Sequence, residues 1–134
     1  MSTIMEEAIP ATERHTVHSG ITCNQSLQAV QDALYVLNGK WKLPIIIALK
    51  DGPRRFRELQ RLVTGITAKV LSKELKELEM NEFAVRHVYA TIPVTVEYEL
   101  TEYSHSLDSV IEALYQWGIQ HRARILGKDK LNVL

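Results

Sequence analysis

Three leucines, Leu71, Leu75 and Leu78, recur at spacings of four and three within Gly65–Glu79, G-I-T-A-K-V-L-S-K-E-L-K-E-L-E. In a helix starting after Thr67, at about 100° per residue, they share one side. Lys69, Ser72, Lys73 and Lys76 fall on the opposite side. Glu74 and Glu77 lie on one flank between the faces, and Glu79 on the other. An apolar stripe of this kind anchors a helix to a core. The other face then offers three ammonium groups and a hydroxyl to something outside. Such a helix can dock on a domain and still enter a DNA major groove. An ordinary surface helix with solvated lysines would show the same division, so the neighbouring segments decide.

The helix is followed by Phe83-Ala84-Val85-Arg86-His87-Val88-Tyr89, a break at Ala90–Pro93, and Val94-Thr95-Val96-Glu97-Tyr98-Glu99-Leu100. The second run alternates strictly, with Val94, Val96, Tyr98 and Leu100 on one face and Thr95, Glu97 and Glu99 on the other. Period two with β-branched and aromatic residues predicts a half-buried strand. Two such runs joined by a short break predict an antiparallel hairpin. Before the helix, Gly52-Pro53 marks a turn. Phe56, Leu59 and Val63 then share one helical face, and Thr64-Gly65-Ile66 makes a tight break in which Gly65 permits a positive φ. Thr67 suits the N-cap. Two short helices around a Gly-containing turn, then a hairpin, are the order of a winged helix-turn-helix.

The formal net charge is zero, which argues against coating nucleic acid by bulk electrostatics. The charge is uneven, however. From Lys40 to Arg61 seven bases, Lys40, Lys42, Lys50, Arg54, Arg55, Arg57 and Arg61, stand against Asp51 and Glu58. Phosphate contact requires a locally basic surface, not a basic whole. A solvated helix face over Arg54–Arg61 is the plainer alternative. The longest apolar run, Leu43–Leu49, is far too short to span a bilayer. No secretory signal is evident near Glu6, Glu7 and Glu13, and a single cysteine cannot form an intrachain disulfide, so a cytoplasmic setting is expected.

Residues 1–20 lack periodicity and are expected as an N-terminal tail, 21–126 as one winged helix-turn-helix domain, and 127–134 as a C-terminal tail. Leu27, Val30, Leu34 and Leu37 predict a helix over Ser26–Leu37, closed by Asn38-Gly39. Ile45, Ile46, Ile47, Ala48 and Leu49 predict a central helix with Pro44 in its first turn. Thr101 can cap a long last helix, from about Glu102 to Ile125, with the stripe Leu107, Val110, Ile111, Leu114, Trp117 and His121. One short domain has limited room for both terminal stripes, so the surplus suggests an interface with a second copy. Packing of both stripes inside the monomer is the alternative.

With these residues in place, the chain resembles the HxlR family of bacterial winged helix-turn-helix regulators. Leu37-Asn38-Gly39-Lys40-Trp41-Lys42 looks like the family's G-K-W segment, and Gly52–Leu59 like its G-x-x-R-F-x-E-L. Gly65–Glu79 matches its recognition-helix pattern, and Pro93–Thr101 its P-x-x-V-E-Y-x-L-T. Trp117-Gly118 closes a resemblance spanning roughly Cys23 to His121. Departures fall at Asn38 and Ser104, where glycine is frequent, and at Cys23, which precedes Asn24 rather than proline and lies farther from Lys40-Trp41-Lys42.

The resemblance implies a mainly α fold with a small β-hairpin, and a homodimer built from the first and last helices on inverted-repeat operator DNA. The expected DNA contacts are Thr67, Ala68, Lys69, Ser72, Lys73 and Lys76 at the major groove. Arg55 and Arg57 are expected on the backbone, and Arg86, His87 and Thr91 at the wing. The resemblance also suggests Cys23 as a redox-sensing thiol; a buried, inert cysteine is the alternative. A small-molecule or redox effector stays unnamed, and no cofactor is implied. A winged-helix adaptor that binds protein rather than DNA is the main rival. An enzyme is disfavoured: no Gly-rich phosphate loop or nucleophile elbow is present. His15 and His18, with Cys23 not far on, lack the paired spacing of a structural zinc site.

Overall fold

The computed structural model describes residues 23–133, which fall into two units dividing between Gly39 and Lys40. The tail expected over 1–20, with His15 and His18, lies outside the described residues. The first unit holds α1 (Cys23–Val36). It starts earlier than the leucine spacing implies, and the Leu37 amide still donates to the Ala33 carbonyl at 2.9 Å. Leu27, Val30, Leu34 and Tyr35 of α1 are all exposed.

The second unit is ordered α2 (Lys42–Ala48), β1 (Arg54–Arg55), α3 (Phe56–Leu62), α4 (Ala68–Met80), β2 (Ala84–Tyr89), β3 (Thr95–Leu100), a 3-10 turn (Glu102–Leu107) and α5 (Asp108–Val133). Its core follows the apolar periodicities. Ile45, Ile46 and Leu49 of the α2 segment are buried, as are Leu59 and Val63 of the α3 segment, Leu71, Leu75 and Leu78 of α4, and Ile66, Phe83 and Leu107. Ile47 of this central, all-apolar helix is half-exposed. The turn between α3 and α4 closes with Gly65 at φ 91°, in the left-handed region that glycine enters without a Cβ clash.

The sheet has three strands rather than two, in the order β1-β3-β2, both pairings antiparallel. Arg54 and Arg55 are opposite Tyr98 and Glu97, so β1 pairs an edge of β3 that a lone hairpin would leave open. The chain enters α5 through the 3-10 turn. There Thr101 Oγ1 accepts the Ser104 amide at 3.3 Å, and the Tyr103 ring stacks on Phe83 with centroids 5.2 Å apart. The α-helix proper starts at Asp108 and runs to Val133, past Ile125 and through residues expected as a tail. Val110, Leu114, Tyr115, Trp117 and Ile125 of α5 are exposed, and Trp117 stacks on His121 at 4.8 Å. No described helix is long and apolar enough to cross a membrane.

Candidate nucleic-acid interface

Thr67 stands in extended conformation before α4, and its Oγ1 accepts the Val70 amide at 3.2 Å. This side-chain cap satisfies one of the amides a helix start leaves open. Ala68 is the first helical residue. Lys69, Ser72, Lys73 and Lys76 are exposed, while Leu71, Leu75 and Leu78 are buried. The exposed four line a shallow depression of about 450 Å³ with Glu77 and Met80. Met80 extends the stripe Lys69-Lys73-Lys76 by one more helical step. It escaped the sequence reading, although its spacing could have found it.

One flank of α4 is engaged by a buried lysine. Glu74, placed between the faces by its spacing, is 5% exposed. It meets Lys42, at the first position of α2, which is itself 1% exposed. The Lys42 ammonium donates to Glu74 Oε1 and to Glu77 Oε1, each at 2.6 Å. Glu77 Oε2 faces Lys73 Nζ at 3.2 Å, and Glu74 Oε2 lies 3.9 Å from the same atom. Burial is the largest single influence on Lys42 and pulls its pKa down. The hydrogen bonds and attraction of Glu74 and Glu77 together outweigh it, and the ammonium ends above the ordinary lysine value. Hydrogen bonds from Lys42 and then Lys73 hold the Glu77 carboxyl below its usual range.

Arg55 is the N-cap of α3; its amide donates to Glu58 Oε1 at 2.8 Å and its side chain is exposed, as is that of Arg57. Both line a second shallow depression, of about 720 Å³, with Arg61, Glu58, Val96 and Glu97. The basic run of Lys40–Arg61 is only partly a surface. Lys42 is buried, Lys50 pairs with Asp108 at 2.8 Å, and Arg54 Nε donates to the Ala48 carbonyl at 3.0 Å.

On the wing, Arg86 lies opposite Tyr98 and His87 opposite Glu97. Adjacent strand residues point to opposite faces, so Arg86 and His87 lie on opposite faces of the hairpin. His87 Nε2 sits 2.8 Å from Glu99 Oε1. Thr91, at the tip, donates through Oγ1 to the Pro93 carbonyl at 2.7 Å and lies 2.8 Å from Thr95 Oγ1. Cys23 opens α1; its side chain lies outside the described atoms. No group of three or more His, Cys, Asp or Glu residues that could hold a metal occurs among the described residues.

A capped helix with a buried leucine stripe and an exposed lysine stripe, followed by a hairpin, defines a winged helix-turn-helix protein. The model of the HxlR-like helix-turn-helix family matches residues 36–125, and the chain belongs to that family of transcriptional regulators. It is 42% identical over 106 residues to the uncharacterised HTH-type transcriptional regulator YtcD of Bacillus subtilis, covering 79% of this chain and 83% of YtcD. It is 37% identical over 97 residues to the HTH-type transcriptional regulator YodB of the same organism, covering 72% and 87%. The redox regulator HypR in its reduced form superposes with a TM-score of 0.69 at 34% identity, over 74% of this chain and 98% of HypR. These relatives are transcriptional regulators rather than enzymes.

Proposed function

We propose that this chain regulates transcription as a homodimer that binds an inverted-repeat operator with α4 in the major groove. The observation that carries this reading is the division of α4. Its leucines are buried, while Lys69, Ser72, Lys73 and Lys76 are exposed on one stripe behind a Thr67 cap. Ala68 and Lys69 open the helix, where recognition helices contact base edges. Arg55, Arg57 and Arg61 supply phosphate contacts beside it. The wing acts as a positioning element, since Glu99 engages His87 and Thr91 is occupied within the tip.

Dimerisation is supported by the apolar residues that a single chain leaves exposed on α1 and α5. A groove of about 560 Å³ between α2 and α5, lined by Leu43, Pro44, Ile47, Ile111, Leu114 and Tyr115, adds apolar surface for a second copy. Two-fold symmetry then spaces two α4 helices about one DNA turn apart. Cys23 is the candidate redox sensor, a role supported by kinship with HypR, a redox regulator. With one cysteine per chain, the available chemistry is an intersubunit disulfide formed by a two-electron oxidant, a mixed disulfide by exchange with an oxidised small thiol, or addition to an electrophile. Action on operator DNA fits a cytoplasmic protein.

The test is Lys73→Ala against duplexes selected from random DNA by the wild-type protein. A phosphate contact predicts weaker binding to every sequence and a salt slope smaller by about one; a base contact predicts altered discrimination at one base pair. Wild-type binding without salt dependence would instead favour a protein-binding adaptor.

A further inference from the structure

Four charges form one chain at the junction of α2 and α4: Lys42, Glu74, Glu77 and Lys73. Lys42 is buried and holds Glu77 through Oε1, so the Glu77 carboxylate is oriented before any partner arrives. Its second oxygen points along α4 to Lys73 Nζ, 3.2 Å away, on the exposed stripe. An isolated surface ion pair must fix two long side chains for little gain. Here one partner is already fixed by a buried cation, so restraining Lys73 costs less side-chain entropy. The carboxylate also lines the same depression as Lys69, Ser72, Lys73 and Lys76. A phosphate approaching this end of α4 meets a negative charge as well as three positive ones.

From this geometry we infer that Glu77 is a positioning and specificity-determining residue, which holds Lys73 through the Lys42 anchor and restrains sequence-independent attraction to DNA. The inference rests on the proposed binding of DNA through α4. A lysine free of its carboxylate binds phosphate at any sequence, as a point charge on a flexible stem. A lysine held by Glu77 reaches only groups compatible with one orientation. The carboxylate thus lowers affinity for all DNA and lowers it least where the correct bases compensate. Discrimination is a difference between affinities, and a repulsive group can supply it.

Glu77→Gln removes the charge while keeping size and an oxygen for Lys42. Binding is measured on two probes: a duplex selected from random DNA by the wild-type protein and a mixed-sequence duplex. The expected result is mixed-sequence binding tighter by about three- to tenfold. The salt slope steepens by about one contact, and the ratio between the two probes shrinks. Adding Lys73→Ala to Glu77→Gln should abolish the gain, and Glu77→Asp, which keeps the charge, should stay close to wild type on mixed DNA.

A purely structural role predicts weaker binding to both probes with a lower melting temperature and no steeper slope, and that result overturns the inference. So does a gain that persists without Lys73. If wild type binds both probes with salt dependence and Lys69→Ala weakens it, only the role of Glu77 stands or falls. If wild type shows no salt-dependent binding, the DNA reading itself fails and the inference with it.

Discussion

Replacing Lys42 by Met removes the cation that two carboxylates share and leaves a side chain of similar length in its place. Breaking a buried pair by removing one partner typically costs about 3–5 kcal/mol, because the remaining charge is left uncompensated. The two carboxylates differ in what they can recover. The Glu74 side chain is 7% exposed and keeps only a 3.9 Å approach to Lys73, whereas that of Glu77 is 34% exposed and keeps Lys73 at 3.2 Å. The lower end, about 3 kcal/mol, is therefore expected. At about 4 °C per kcal/mol for a domain near this size, the melting temperature should fall by about 12 °C. Far-UV circular dichroism through thermal and urea unfolding, at one protein concentration, measures it. Lys42→Met combined with Glu74→Leu should recover most of the loss, since replacing a buried pair by packed apolar groups is often neutral or stabilising. A single Lys42→Met variant within about 0.5 kcal/mol of wild type would refute the buried, charge-bearing role.

Leu114→Glu places a charge on the exposed apolar face of α5 and should convert a dimer to monomer in light scattering, with loss of tight binding to a two-half-site duplex. A stable wild-type monomer at micromolar concentration would refute the proposed dimer. The pH dependence follows from opposite shifts. Glu77 and Asp108 are held below the usual carboxylate range, the latter chiefly by its hydrogen bond from Lys50. Their contribution is therefore present above the ordinary carboxylate pKa and lost as pH falls through the lowered values. Lys42 is raised, so its contribution is present below the ordinary lysine value and lost as pH climbs through the raised one. Urea midpoints should hold level between these limits and fall outside them, and Lys42→Met should remove the alkaline fall. Diamide should change the DNA affinity of the wild type and leave Cys23→Ser unaffected; equal responses would make Cys23 a packing residue.

What could be read without coordinates was what repeats. The leucines of α4 obey a helical period and those positions are buried; the strict alternation of Thr95–Leu100 became β3. Arg54–Arg55 could not be read as a strand, because two residues carry no period and their pairing is decided by β3, about forty residues away. Lys42 was hidden for a related reason. In a run of seven bases, nothing local says which one turns inward, and its partners lie 32 and 35 residues on. The parity of Arg86 and His87 was legible, since neighbours on a strand face opposite ways. These corrections redraw the basic surface. Lys42, Lys50 and Arg54 are engaged, and the Lys40 ammonium lies 4.8 Å from the centre of the Trp41 ring. Arg55, Arg57 and Arg61 have no ion-pair partner among the described residues. A chain of zero net charge thus presents three arginines of the α3 segment and three lysines of α4 as exposed cations, while Glu74, the most buried acid of α4, is turned inward against Lys42. On the proposed reading, the exposed cations of these two helices can orient the protein on DNA although the chain as a whole is not basic.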